Sequence, residues 1–245
     1  MKKHLLLLLT SLACLTANAQ EIWIEAGLKG GFGTSFLLNK NIADDRTYDY
    51  KITTMYGVGG KLSVNFGPYH GIAIEGLYNQ AGQDFEYQLD GTQGDLENNI
   101  DWKSIDAYLL YRYIRNRVYV EVGPMYSLVR SVKQQDNGVE LTDTEDFYEK
   151  NYLAGVFGFG GYIAGAETFS VGLGLRLSYG LGDFVSEAGR EGGYPNPVHQ
   201  NVYESPKNTH PIYGQFLVEF NFGIGHFAKT SCTERMKFFG AGRRR

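Results

Sequence analysis

Cysteine is nearly absent: there are two in 245 residues, Cys14 and Cys232. No Cys/His cluster has the spacing of a structural zinc site, and a disulfide framework is excluded. Proline is scarce, with six in all, and charged residues make up only 20%. A disordered chain, poor in aromatics and rich in net charge, is thereby excluded. After the first twenty positions no apolar run reaches the roughly 18 residues that a membrane-crossing helix needs. What is abundant is glycine (32), tyrosine (18) and phenylalanine (15). That mixture suggests many short strands with aromatic anchors.

The first segment is a leader rather than part of the fold. Lys2 and Lys3 precede an apolar run from Leu5 to Leu15, and Ala17-Asn18-Ala19 supplies a small-x-small cleavage site. Cleavage before Gln20 is expected. A lipoprotein cut before Cys14 would want an aliphatic residue where Ser11 stands. Removing residues 1–19 takes two lysines and Cys14, leaving 226 residues, a net charge of −6 and Cys232 alone.

Period-2 hydrophobicity then recurs eight times, which marks strands with one apolar face. Ile24, Ala26, Leu28, Gly30, Phe32 and Phe36 oppose Glu25, Lys29 and Ser35. Similar runs begin near Tyr56, Ile72, Ile105, Val118, Tyr152, Phe169 and Ile212. In the fifth, Pro124 suggests a bulge. The connections alternate. Short turns fall at Gly67–Gly71, Ile114–Arg117 and Ala164–Thr168, and long polar loops fall near 39–51, 83–99, 130–151 and 183–211. Short turns at one end and long loops at the other characterise outer-membrane barrels.

Alternation alone fits a soluble barrel equally well, with its polarity reversed. The charges favour the membrane. The eight apolar faces carry no Asp, Glu, Lys or Arg. The polar faces carry Glu25, Lys29, Lys61, Glu75, Asp106, Arg112, Glu121, Arg176 and Glu219. A Lys or Arg facing mid-bilayer lipid costs about 2–4 kcal/mol, whereas paired charges are tolerated inside. An interior charge network is therefore expected. Trp23, Phe66, Tyr69, Tyr113, Phe169 and Phe222 near the short turns, with Tyr56, Tyr78, Trp102, Tyr126 and Tyr179 near the long loops, would form two interfacial girdles. The fold class expected is all-β: an eight-stranded antiparallel, up-and-down transmembrane barrel over residues 20–227. Eight strands leave a lumen that side chains fill, and an even number puts both termini with the short turns on the periplasmic side.

Three stretches carry a resemblance: Gly27–Ser35 (GLKGGFGTS), Tyr56–Tyr87 and Ile105–Tyr113 (IDAYLLYRY). Together they resemble the outer-membrane β-barrel family of Bacteroidota, with Lys29, Glu75 and Tyr78 at matching positions. The proline usual in that family's fourth strand is replaced by Ala107-Tyr108. Within the family, the length, strand plan and large loops are similar to the barrel component of the type IX secretion system. That resemblance implies a non-enzymatic, accessory role in protein secretion. It carries over no catalytic residue and no cofactor.

Other features have a plain reading beside a sharper one. His199 and His210, with Ser186, Ser205, Glu187 and Glu204, could form a lipid-modifying triad, although a long polar loop contains such residues by chance. The acidic stretch Asp136, Glu140, Asp143, Glu145, Asp146 and Glu149 is a solvated loop or a cation bridge to lipopolysaccharide. Tyr194 and Tyr203 are candidate partner anchors in the last loop. After Phe227 the chain carries Lys229, Arg235, Lys237, Arg243, Arg244 and Arg245 against Glu234 alone, a net +5 over residues 228–245. For an exported protein this tail points to a periplasmic protein partner or an anionic lipid surface, and away from nucleic acid. The partners expected are thus outer-membrane lipid, lipopolysaccharide and secretion-system proteins. An adhesion or structural barrel is the alternative.

Overall fold

The structure, a computed structural model, describes residues 22–88, 95–166, 168–196 and 206–228. The leader, Tyr203, His199, Cys232 and the basic tail, with Arg235, Lys237, Arg243, Arg244 and Arg245, lie outside the described residues.

Among the described residues ten strands follow one another: β1 (Ile22–Asn39), β2 (Tyr48–Lys51), β3 (Thr53–Phe66), β4 (His70–Tyr87), β5 (Leu96–Arg115), β6 (Val118–Asp136), β7 (Val139–Glu140), β8 (Asn151–Ala166), β9 (Phe169–Gly180) and β10 (Thr209–Ala228). Eight are long and form a closed antiparallel ring. Each pairs with the long strands before and after it, and β1 closes on β10 from Ile22–Ala228 to Asn39–Thr209. Closure satisfies the backbone groups that an open sheet edge would expose to lipid. The two short strands were not expected: β2 extends the upper end of β4, and β7 that of β6. Single helical turns, α1 (Lys40–Asp44) and α2 (Glu187–Glu191), sit at the long-loop end.

Three expectations need correction. The loops near 83–99 and 130–151 are shorter than expected, because β4 runs on to Tyr87, β5 begins at Leu96 and β6 runs on to Asp136. The bulge lies at Arg130, where the β5–β6 register shifts between Lys103 and Ser104; at Gly123–Pro124 the pairing with β5 is interrupted without a shift. Trp102 is not a girdle residue. It is 1% exposed, inside the barrel, and Trp23 shares the inward register of Glu25.

The faces exchange character along the strands. On β5 the outward positions nearest the short turns are Ile105, Leu109, Tyr111 and Tyr113, all exposed; those nearer the long loops are Glu97, Asp101 and Lys103. Arg130 and Lys133 continue that polar row on β6. The outward apolar stretch of β9, Phe169 to Tyr179, is about 26 Å tall at a tilt of roughly 40°, enough for an outer-membrane band. Tyr56, Tyr78, Tyr126 and Tyr179 mark its long-loop edge, and Tyr69, Tyr113, Phe169 and Phe222 mark the other. Arginine at Leu175, near the middle of this band, should therefore destabilise the barrel by about 2–4 kcal/mol in bilayer refolding titrations. Arginine in place of the outward Asp101 should cost under ~0.5 kcal/mol.

Candidate functional site: a sealed lumen

The inward face is built in three layers. Nearest the short turns, four carboxylates (Glu25, Glu75, Glu121, Glu219) meet four cations (Lys29, Lys61, Arg112, Arg176). Lys29 Nζ lies 2.7 Å from Glu75 and 3.5 Å from Glu219. Lys61 Nζ bridges Glu25 at 3.0 Å and Glu219 at 3.4 Å. Arg112 reaches Glu121 at 2.8 Å, Glu219 at 3.0 Å and Glu75 at 3.3 Å. Arg176 pairs with Glu75 at 2.9 Å and also with Glu121. All eight are buried, and their formal charges cancel. The two guanidiniums also lie over rings, Arg112 above Tyr119 at 4.4 Å and Arg176 above Tyr108 at 4.7 Å, contacts that favour a desolvated cation.

Glycines on the neighbouring strands make room for this layer, Gly158 paired with Glu121 and Gly172 with Glu219. A Cβ at Gly158 would stand 2.8 Å from Glu121 Oε1, and one at Gly172 would stand 2.7 Å from Glu219 Cγ. At Gly174 it would stand 2.5 Å from the Tyr119 hydroxyl. The glycines of β8 and β9 thus mark where long side chains of adjacent strands lie over the barrel wall.

Asp106 is not part of the ion-pair layer. It sits higher, where Ser127 Oγ donates to it at 2.6 Å and Asn79 Nδ2 at 2.5 Å. Gln215 Nε2 in turn donates to Asn79 Oδ1 at 3.4 Å. This middle layer is uncharged apart from Asp106, and among the described residues no cation forms a salt bridge with it.

The third layer is an aromatic cap. Residues 181–196 fold into the barrel mouth, burying Phe184 and Val185. Asp183 Oδ1 accepts from the backbone N–H of Val185 at 3.0 Å and of Thr209 at 2.9 Å, which fixes the turn. Phe184 then packs against Trp102, Tyr148 and Tyr152, at ring-centroid distances of 5.3, 5.2 and 5.8 Å. Trp102 Nε1 donates to the Tyr213 hydroxyl at 2.9 Å, and Tyr148 donates to Gln134 Oε1 at 2.8 Å. Burial holds the Tyr148 phenol well above its ordinary pKa, so it stays a donor at neutral pH.

Tyr194 belongs to this cap. Its ring stacks on Phe147 at 4.5 Å and meets Tyr148 edge-on at 5.8 Å. The ring is half-buried against these loop residues. Of the candidate triad residues, Ser186, Glu187 and His210 are described, whereas His199, Glu204 and Ser205 lie outside the described residues. Ser186 caps α2 by accepting from Gly189 N–H at 3.1 Å, and His210 Nδ1 lies 2.9 Å from the Gly180 carbonyl. The acidic loop residues do not converge. Asp136 accepts from the Tyr87 hydroxyl and Glu140 pairs with Lys133 at 3.4 Å. No group of three or more metal-ligating side chains occurs among the described residues.

The lumen is therefore filled from end to end by ion pairs, amides and rings, and offers no passage to a polypeptide. Among solved structures the chain is similar to the outer membrane protein OprG of Pseudomonas aeruginosa, at 14% identity over 84% of this chain and 96% of that one, with a TM-score of 0.41. It is similar also to Neisserial surface protein A, at 11% identity over 81% and 96%, with a TM-score of 0.38. Ail, the attachment invasion locus protein of Yersinia pestis, is 11% identical over 82% and 98%, with a TM-score of 0.36. A comparison with curated proteins finds no match. A family profile described as "Outer membrane protein beta-barrel domain" matches residues 18–186. With that match, the closed ring of strands and the outward apolar band, the chain belongs to the outer-membrane β-barrel family and is an integral outer-membrane protein.

Proposed function

We propose that this barrel is a non-catalytic accessory component of protein secretion, similar to PorT of the type IX system of Bacteroidota. It acts through its cap and its basic tail. The observation that carries this reading is the sealed lumen. A barrel filled by a neutral ion network and an aromatic cap cannot conduct cargo, so any part in export is exercised at its two ends. The motifs around Lys29, Glu75 and Tyr78 support the family resemblance from which the secretion role comes. In this reading the long-loop end is extracellular and both termini are periplasmic, which places the +5 tail where periplasmic proteins can meet it.

The test is a clean deletion. Loss of secreted cargo from the cell surface, restored by the full chain and not by a chain ending at residue 228, is the expected result. Normal cargo levels in the deletion strain would overturn it. A surface-binding role is the second reading, favoured by how far the strands rise above the apolar band. It predicts intact secretion but lost attachment when residues 181–196 are replaced by a short turn.

A further inference from the structure

We propose that the middle layer of the lumen binds one dehydrated alkali cation, held by the Asp106 carboxylate and the neutral oxygens of Ser104, Tyr108 and Gln215.

The eight charges of the lower layer cancel one another, and Asp106, fully buried above them, adds a negative charge with no salt-bridge partner among the described residues. Arg176, which lies over the Tyr108 ring at 4.7 Å, is committed to Glu75 and Glu121. The hydrogen bonds from Ser127 and Asn79 spread the charge on Asp106 without cancelling it. A carboxylate so placed calls for a counterion.

The oxygens to hold one are at hand. Ser104 and Tyr108 flank Asp106 on the inward row of β5, and both hydroxyls adjoin the carboxylate. Each residue is only 1% exposed, yet neither hydroxyl makes a hydrogen bond. Gln215 reaches in from β10, on the opposite side of the ring. Its Nε2 donates to Asn79 Oδ1 at 3.4 Å, and its Oε1 is buried without a hydrogen bond. A carboxamide oxygen can only accept, and the carboxylate has used two of its roughly four acceptor positions. The layer is rich in acceptors and short of positive charge.

One carboxylate among neutral oxygens suits a single positive charge. A divalent ion would exchange one buried excess charge for another, and hard oxygen donors do not select soft metals. Above the layer, Trp102 donates to the Tyr213 hydroxyl at 2.9 Å, and the Tyr152 and Tyr213 hydroxyls lie 2.5 Å apart. Under that lid an ion sheds its water and exchanges slowly, so it is best supplied while the barrel folds. The inference does not rest on the secretion role.

The experiment refolds purified full-length barrel into phosphatidylcholine vesicles at fixed ionic strength, with choline chloride replaced stepwise by sodium or potassium chloride. Gel mobility then gives the folded fraction in urea. Choline screens equally but is too large to be enclosed. A single ion bound only by the folded state raises the folded-to-unfolded ratio about tenfold for each tenfold rise in its concentration once the site fills. Sodium or potassium should give that slope for the wild type. Asp106→Asn keeps the shape and removes the charge, so its ratio should be the same in all three salts. Ser104→Ala removes an oxygen that bonds nothing else and should need about tenfold more cation for the same gain. Lys61→Met with Glu25→Met, a neutral excision at the edge of the ion layer, should keep the wild-type slope. The proposal is overturned by a wild type equally stable in the three salts, by Asp106→Asn retaining the cation dependence, or by loss of that dependence in the Lys61→Met, Glu25→Met barrel. If Asp106→Asn does not refold, Ser104→Ala decides, and wild-type cation dependence in that variant overturns the proposal.

Discussion

Replacing Arg112 by alanine is expected to destabilise the barrel by about 3–5 kcal/mol, because it leaves a buried carboxylate excess rather than a missing contact. Arg112 bridges Glu75, Glu121 and Glu219, and its removal leaves four buried carboxylates facing three cations. Urea titration of refolded barrel, read by the gel-mobility difference between folded and unfolded chains, would measure the loss. Arg112→Lys keeps the charge but cannot fork to three acceptors, so it should fall between the two. A neutral excision makes the contrast. Lys61→Met together with Glu25→Met removes the pair at the edge of the layer, joined at 3.0 Å. That double variant should cost much less than Lys61→Met alone. An alanine variant at Arg112 within ~1 kcal/mol of wild type would mean the charges are not held in a dry lumen.

Alanine at Phe184 is the second large effect, and a local one. The side chain is fully buried among Trp102, Tyr148 and Tyr152, a setting in which Phe→Ala costs about 3–5 kcal/mol. The ring of strands is continuous without it. What it holds down is the stretch 181–196, whose backbone is tied in by Phe184 N–H to the Thr209 carbonyl and Glu149 N–H to the Phe184 carbonyl, both at 2.8 Å. The loss should therefore appear as cap opening. Protease cleavage between residues 181 and 196 should rise about a hundredfold, while the strands stay protected. Cleavage at the wild-type rate would show that the cap is held by other contacts.

The ring was legible because lipid on one side imposes period-2 alternation with no charge on the outward face, as the runs around Leu28, Leu109 and Leu175 show. The inward ion layer was legible for the same reason: nine charges on polar faces have nowhere else to go. Asp106 shares that parity, and parity alone cannot tell a cation partner from the hydroxyl of Ser127 and the amide of Asn79. The cap was missed. Its signal was present at Trp102, which alternates in step with Asp106 and Arg112 and so had to face inward. Ile100 and Phe85 follow the same rule. Outside the lipid band the outward face turns polar and the inward face apolar, so aromatic character stops being a guide to direction and only parity remains. Phe184 and Val185 had no periodic context at all, being two apolar residues in a polar loop. Strand length was underestimated because the polar upper halves of β4 and β5 read as loop composition.

The change of character between Ile105 and Lys103 on β5, matched on β6 by Leu128 and Arg130, has a mechanical consequence. Sinking by one two-residue step would carry ammonium and guanidinium groups into oil, and rising by one would lift a ring of aliphatic side chains into water. Both displacements are opposed at several points around the circumference. The molecule should ride at a fixed depth, so that a bilayer of different thickness must stretch or thin to meet it.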